Sequence, residues 1–282
     1  ANDQEIPVLP IADVNQENED GTASSLDLEC ELRGIVHGVN MGATGTQFTL
    51  IDNTGGIGVF NGANDFGYTV TEGDSIHAIG VIDQFNGLTQ LLLDTLIYQA
   101  SGFDLMEPML VTSLNEDTES EMVRMNCVRL VDPSQWTNQG PGFNVDITDG
   151  LNTITMRIDA QVDLYGSEAP QGKFSVIGIG GQFDANAPYD SGYQLLPRYS
   201  ADIFDNLIAS FDAPLEWNIG EGAVSFDSQS TGAFLHDWDF GDDTNSNEVD
   251  PEHVYAELGV YTVNLTVFSE DGLCNHSTLQ QV

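Results

Sequence analysis

The side chains most able to do chemistry in this sequence are its carboxylates. The 282 residues include 45 Asp and Glu against 6 Lys and Arg, which gives a formal net charge of −39 and a pI of about 4.1. A glycosidase needs two acids that flank a cleft at a defined separation. No two of these acids are set apart from the rest by their spacing, so we expect no catalytic residues and a protein that is not an enzyme.

Histidine and cysteine are too scattered to indicate a metal or nucleophile site. None of the five histidines pairs with another His or with a Cys at the spacing of zinc ligands. Cys30, Cys127 and Cys274 lie far apart and form no CxxC motif, so we expect at most one disulfide and favour three buried thiols. The sequence also lacks GxSxG, HExxH and P-loop motifs, and it predicts no bound organic cofactor.

Calcium is the one cofactor that the acidic pattern suggests. The run from Asp13 to Gly21 resembles a calcium loop in which Asn18 and Asp20 would be ligands, although its first position is not a carboxylate and its twelfth is not Glu. An acidic, solvated linker is the competing interpretation of this run. A second set of candidate calcium ligands lies near the C-terminus: Asp239, Asp242 and Asp243.

The charge balance excludes two classes of partner. Proteins bind DNA and RNA largely by neutralising phosphates with Lys and Arg, and six cations cannot do this over a wide surface. Anionic membrane surfaces are disfavoured for the same reason, and no apolar run approaches the ~20 residues of a membrane helix. We therefore expect neither a nucleic-acid partner nor membrane insertion. With 40% hydrophobic residues, the chain can still form folded cores.

Short alternating segments between turn residues predict an all-β fold. Gln47–Ile51 leads into the turn-forming residues 52–56, and Ile57–Phe60 follows, which is the pattern of a β-hairpin. No long segment has the 3.6-residue periodicity of an amphipathic helix.

An internal repeat appears when the halves of the first 205 or so residues are compared. The corresponding positions are Asp52 with Asp149, Gln84-Phe85 with Gln182-Phe183, and Gln90–Leu92 with Gln194–Leu196. The repeat predicts a duplicated domain of about 80–100 residues. Five short strands with Gly at the bends are typical of a small closed barrel of the OB type.

Several segments of the two repeats resemble a known group of modules. Arg33–Val36, Thr49–Phe60, Glu72–Asp74, Phe85–Gln90 and Tyr193–Arg198 are similar to OB-type modules of secreted Bacteroidetes proteins that are exported by the type IX pathway. The resemblance implies an extracellular or cell-surface location and no established catalysis in these modules.

Residues 205–282 carry a different set of motifs. They resemble a PKD domain, an immunoglobulin-like β-sandwich, through Trp238, Phe240, Gly241, Asp242, Pro251, His253, Tyr255, Gly259 and Tyr261. Asp243 departs from the family pattern, in which Gly usually stands at that position. We expect Trp238 and Phe240 to lie in the sandwich core and the motif as a whole to have a structural role.

The N-terminal segment before the first barrel is rich in aliphatic residues. Strand addition to a neighbouring copy is one way to hold it, and packing on its own barrel is the favoured alternative. The residues of this candidate self-association segment are Ile6, Val8, Leu9 and Ile11.

The expected architecture is therefore two tandem OB-like small barrels followed by a PKD sandwich. The predicted divisions are an acidic, extended N-terminal segment (1–22), two OB-like domains (23–106 and 107–204) and the PKD domain (205–282). We expect a non-enzymatic extracellular structural or adhesion protein, or a surface-assembly subunit, whose partners are other copies of itself. The alternative is a glycan-binding accessory module of a larger extracellular hydrolase. Its candidate sugar-stacking rings are Phe48, Phe60, Tyr68 and Phe85.

Overall fold

The computed structural model describes residues 5–214, 222–270 and 272–282, and all of their regular structure apart from short 3-10 turns is β. The chain divides into two compact units. The first consists of Ala1–Met125, Val131–Glu168 and Ile177–Asp202, and the second of Asn126–Leu130, Ala169–Val176 and Ile203–Val282. The four-part division expected from the sequence stays a prediction.

Five strands of the first unit form a closed barrel: β1 (Glu29–His37), β2 (Thr46–Ile51), β3 (Gly56–Asn61), β4 (Ser75–Phe85) and β5 (Leu88–Ala100). Their order is β1-β2-β3-β5-β4, and β4 pairs back to β1. The predicted hairpin is confirmed, since Ile51 pairs with Gly56 across the turn. Along β4 the inward side chains alternate with half-buried ones, as a strand with one face in a core requires.

The N-terminal segment lies on this barrel and completes its core. Glu31 in β1 donates its backbone N–H to the Pro7 carbonyl and accepts a hydrogen bond from the Leu9 N–H. Ile11, in a 3-10 turn over Ile11–Asp13, and Val14 are fully buried among the barrel's aliphatic side chains. The favoured intramolecular arrangement is therefore the one observed in the single chain.

A second barrel repeats the topology of the first. Its strands are β6 (Met109–Leu110), β7 (Met122–Leu130), β8 (Gly142–Thr148), β9 (Thr153–Asp159), β10 (Lys173–Gln182), β11 (Tyr193–Leu196) and β12 (Ile203–Leu207). The sheet order is β12-β10-β11-β9-β8-β7-β6, and a further β10–β7 pairing closes the ring. Strands β7, β8, β9, β11 and β10 thus follow each other as β1, β2, β3, β5 and β4 do. The strand order of the first barrel thus recurs in the second sheet, while the assignment of both to OB-like modules stays a prediction.

The C-terminal part of the second unit is a small sandwich. Its strands are β13 (Phe211–Asp212), β14 (Val224–Ser225), β15 (Asp227–Ser228), β16 (Leu235–Asp239), β17 (Asn245–Ser246), β18 (Glu252–His253), β19 (Thr262–Phe268) and β20 (Asn275–Gln281). The main sheet has the order β17-β16-β19-β20, and β13 pairs with β15 and β14 with β18. Alternate residues of β19, Val263, Leu265 and Val267, are fully buried in the core.

Candidate functional site

Two phenylalanines at equivalent repeat positions form an exposed aromatic pair. Phe85 at the end of β4 and Phe183 just after β10 are 56% and 57% exposed. Their ring centroids are 6.3 Å apart and the rings meet edge to face at 69°. Exposed rings of this kind can stack on apolar faces of a ligand without any need for charge. We call Phe85 and Phe183 the phenylalanine pair.

The glutamine that precedes each phenylalanine anchors the strand end that presents the ring. Gln84 donates through Nε2 to the Gly21 and Gly87 carbonyls, at 2.8 and 2.6 Å, and accepts from the Ala23 N–H at 3.2 Å. Gln182 donates through Nε2 to carbonyls of the 184–192 loop. Each ring therefore projects from a strand end whose neighbouring side chain is fixed.

The loops beside the phenylalanine pair also contact each other. The Asp184 N–H donates to the Asn86 carbonyl at 2.6 Å. Gly87 has a φ of 93°, which favours glycine, and an added Cβ atom would lie 2.0 Å from Gln182 Oε1, so the Gln182 side chain would have to move. The spacing of the two rings is thus set by direct contact between the loops that carry them, and both loops belong to the first unit.

The other proposed stacking rings occupy different environments. Phe48 is buried in the first barrel's core, and Phe60 is half-buried. Tyr68 is half-buried, and its hydroxyl donates to Asp74 Oδ2 at 2.8 Å. Of the four rings expected from the sequence, only Phe85 is strongly exposed. Phe183, its partner, is not among the rings expected from the sequence, although the repeated Gln-Phe dipeptide places it at the equivalent position.

Hydrogen bonds from main-chain amides to glutamate side chains join the barrels away from the aromatic pair. The Gly56 N–H donates to Glu121 Oε1 at 2.8 Å, and the Thr89 N–H donates to Glu119 Oε1 at 2.9 Å. A Cβ at Gly56 would stand 2.0 Å from the Ser120 carbonyl oxygen. The backbones approach this closely because the position carries no side chain.

A buried arginine adds an ionic contact between the barrels. Arg198 donates to both carboxylate oxygens of Asp202, and its Nη1 lies 2.5 Å from Glu72 Oε1. The Gly38 N–H also donates to Glu72 Oε1 at 2.8 Å. Burial opposes the charge on Arg198, but Asp202 and Glu72 outweigh it and raise the pKa of the guanidinium. The arginine therefore stays charged, with both its acidic partners in contact.

The C-terminal motif residues pack against one another. Trp238 is fully buried and donates through Nε1 to the Glu248 carbonyl at 2.9 Å. Phe240 stacks on His253 with ring centroids 4.3 Å apart, and the Tyr255 hydroxyl donates to the Phe240 carbonyl at 3.1 Å. Tyr261 stacks on Tyr255 at 4.0 Å. The motif is used to build the core, as its aromatic residues predicted.

Comparison with known proteins identifies this part of the chain. Residues 216–282 match the family model of the PKD domain. The chain carries a PKD domain. A stretch of 35 residues is 57% identical to collagenase ColA of Bacillus cereus, and it spans 12% of this chain and only 4% of that protein. The PKD1 domain of Vibrio anguillarum Epp, known from a crystal structure, aligns at 29% identity over 27% of this chain and 89% of that one, with a TM-score of 0.24.

The calcium candidates of the PKD domain are already engaged. Asp242 Oδ2 accepts from His253 Nε2 at 2.7 Å, and Oδ1 accepts from the Thr244 hydroxyl at 2.5 Å. Burial acts to raise the pKa of Asp242, but these hydrogen bonds outweigh it and the pKa is lowered. Asp239 Oδ1 accepts from the Gly241 N–H, and Asp243 adopts a left-handed conformation with φ of 67°. Asp243 thus adopts the conformation that Gly provides most easily.

The N-terminal calcium candidates also bond within their own loop. Asp20 Oδ1 accepts from the Thr22 hydroxyl at 2.6 Å, and Asn18 Nδ2 donates to the same hydroxyl at 3.3 Å. Across residues 5–214, 222–270 and 272–282, no group of three or more His, Cys, Asp or Glu side chains is arranged to hold a metal ion. Neither set of candidates receives support as a metal centre.

A disulfide corrects the cysteine prediction. Cys127 in β7 and Cys274, next to β20, are bonded to each other across 147 positions of sequence, and both belong to the second unit. Cys30 alone is a free, buried thiol, and burial raises its pKa to about 11. The expectation of three thiols failed because sequence spacing carries no information on which distant strands meet.

The described part of the chain offers no helix of the length and apolar character that a membrane crossing requires.

Proposed function

We propose that this is a non-enzymatic extracellular protein that works in adhesion or surface assembly. The observation that carries the proposal is the Cys127–Cys274 bond, because structural disulfides persist in oxidising compartments outside the cytosol. The PKD domain supports it, since these domains are extracellular and are often accessory or adhesion modules. The resemblance of the barrels to secreted Bacteroidetes modules points the same way.

The side-chain chemistry supports a binding or spacing role rather than catalysis. The PKD motif residues are used in packing, and the buried Arg198 is neutralised by Asp202 and Glu72. The 35-residue similarity to a collagenase covers too little of the chain to assign hydrolysis to it.

Adhesion is tested by immobilising the full chain on beads and measuring attachment to cells and matrix proteins. We expect attachment that is lost when the disulfide is removed by Cys127→Ala and Cys274→Ala, with Cys30→Ala as the control. Beads that attach no better than albumin-coated beads, together with turnover of a polysaccharide or protein substrate, would contradict the proposal.

Self-association through Ile6, Val8, Leu9 and Ile11 remains a prediction and needs a gentler test than deletion. Ile11 fills the barrel core, so deleting the segment would damage the fold. Val8 is 48% exposed, and its backbone already pairs with Glu31. If the exposed edge of this segment recruits a second copy, Val8→Glu should convert assemblies to monomers in light scattering. A molar mass of Val8→Glu equal to that of the wild-type assemblies would contradict self-association through this segment.

A second candidate function is glycan binding, and the phenylalanine pair favours it. Two exposed rings at an angle can stack on the apolar face of a neutral sugar, which a chain of net charge −39 does not repel. This would suit an accessory module of a larger extracellular hydrolase.

Titration calorimetry against neutral polysaccharides tests this candidate. We expect Phe85→Ala and Phe183→Ala each to weaken binding by about two- to tenfold, in line with the loss of an aromatic contact. Phe234→Ala, which removes a ring of similar exposure outside the pair, should leave affinity unchanged. Equal effects of all three substitutions would refute a site at the pair.

A further inference from the structure

Three glutamates from two distant segments of the chain meet in the first unit. Glu17 lies in a small hairpin, Gln16–Ser24, which is closed by the Ser24 N–H donating to the Gln16 carbonyl and by a bridge between Glu17 and Ala23. Glu116 belongs to a 3-10 turn, Glu116–Thr118, and Glu119 follows that turn directly. We call Gln16–Ser24 the acidic hairpin, and Glu17, Glu116 and Glu119 the glutamate cluster.

The carboxyl groups of the cluster lie close enough to share a proton. Glu17 and Glu116 are within reach of each other, and a hydrogen bond between them needs a proton on one of the two, because two carboxylates can only accept. Gln84 Nε2 donates to Glu17 Oε1 at 3.1 Å, and the Tyr193 hydroxyl donates to Glu116 Oε2 at 3.2 Å.

Glu119 provides a second, independent observation. Its side chain is only 8% exposed, and Oε1 accepts from the Thr89 N–H. Its other oxygen, Oε2, is buried and has no hydrogen-bond partner among the described residues. An ionised carboxylate with one bare oxygen in such a place costs more free energy than a protonated one, because burying an unpaired charge is costlier than burying a neutral polar group.

The charged groups that act most strongly on the cluster are acidic. Asp20 of the hairpin faces Glu17, Asp117 faces Glu116, and Glu119 faces both other members of the cluster. Gln84 and Tyr193 are the neutral side chains in contact. The charges that act most strongly on these three carboxyl groups therefore all oppose their ionisation.

We propose that the glutamate cluster is a proton-binding site that holds the acidic hairpin against the two barrels, and that loss of its protons releases the hairpin. The site goes beyond the proposed function, since it regulates how the N-terminal part of the chain is held. Because Glu17 comes from the hairpin and Glu116 from the segment that enters the second barrel, deprotonation places like charges on the two elements in contact.

The direction of the pH dependence follows from the burial of the cluster. Burial and the charge of Glu116 raise the pKa of Glu119 to about 9, and burial with the same neighbour raises that of Glu17 to about 7. Burial raises the pKa of Glu116 too. In the unfolded chain these groups titrate near their ordinary value of about 4.3. The folded state therefore holds more protons than the unfolded state above that value, and stability is lost as pH rises through the folded pKa values.

Hydrogen exchange of the full chain tests the proposal. The measured quantity is the protection of the hairpin amides of Asn18 and Ser24, normalised to intrinsic exchange rates, from about pH 5 to about pH 9. We expect protection to fall by up to about tenfold per pH unit for each proton released. In Glu119→Gln the side-chain amide stays neutral, so one proton fewer is released as pH rises. The fall in protection should therefore be smaller by up to about tenfold per pH unit, and Glu17→Gln should show the same reduction.

Glu19→Gln is the matched control, since it removes a charge from an exposed side chain of the same hairpin. It should keep the wild-type profile. Flat protection in the wild type, or equal profiles in Glu119→Gln and Glu19→Gln, would overturn the proposal. Restoration of protection at high pH by added CaCl2, in the wild type but not in Glu119→Gln, would also overturn it by making the cluster a cation site. Circular dichroism of each variant shows whether it folds. If Glu119→Gln does not fold, Glu17→Gln, at a half-buried position of the hairpin, is compared with Glu19→Gln instead.

Discussion

Removal of the Cys127–Cys274 bond should cost the protein a large part of its stability. The bond closes a loop with a sequence separation of 147 residues. In the chain-entropy model, closing a loop of that size lowers the conformational entropy of the unfolded chain by ~17 cal/mol/K. This loss corresponds to a stabilisation of about 5 kcal/mol at 25 °C. Natural disulfides typically contribute about 2–5 kcal/mol, so we expect a loss near the upper end of that range in the double variant Cys127→Ala and Cys274→Ala.

Urea unfolding followed by tryptophan fluorescence provides the assay, because Trp238 lies in the PKD core. The double variant should unfold at lower urea and should not respond to added reductant. Reductant should move the wild-type transition toward that of the variant. Cys30→Ala, which leaves the bond intact, should keep its response to reductant. A double variant within about 1 kcal/mol of the wild type would refute the loop-closure reasoning.

Three further predictions concern the barrels and the PKD motif. Arg198→Met should lower the free energy of unfolding by about 3–5 kcal/mol, because it leaves Asp202 and Glu72 without the cation that now pairs with them. Urea titration measures this loss. Gly56→Ala should cost about 1–3 kcal/mol by forcing a Cβ against the Ser120 carbonyl, whereas Gly58→Ala, whose Cβ would have no contact under 3.6 Å, should be milder in the same assay. Asp242 has a lowered pKa, so the stability it contributes is present above the unfolded value and is lost as pH falls through the folded one. Acid titration of PKD unfolding should therefore show a shallower slope in Asp242→Asn than in the wild type, and equal slopes would contradict the stabilising role of the hydrogen bonds that Asp242 accepts from Thr244 and His253.

The strand architecture was predictable because it depends on local patterns. Alternating apolar residues and the turn at 52–56 gave the β2–β3 hairpin, and the repeated motifs gave two barrels with the same strand order. The aromatic spacing around Trp238 and Phe240 gave the PKD core. In each case the residues that show the sequence pattern also make the strand pairing or the core contact that it predicts, or they lie on a neighbouring strand.

The candidate sites depend on contacts between distant segments, which sequence patterns do not encode. Nothing in the spacing of Cys127 and Cys274 pairs them, and nothing distinguishes Glu119 from the other acids until burial raises its pKa. Phe183 is the intermediate case. The repeat placed it at the position equivalent to Phe85, but only the packing of one barrel on the other brings the two rings within 6.3 Å.

Peptide mapping of the protein, recovered without reductant from outside the cells that make it, tests the extracellular assignment most directly. We expect a cross-linked peptide that contains Cys127 and Cys274, and a single thiol, Cys30, that reacts only after denaturation. Recovery of the protein only from the reducing cytosol, with three reactive thiols in each chain, would contradict the assignment.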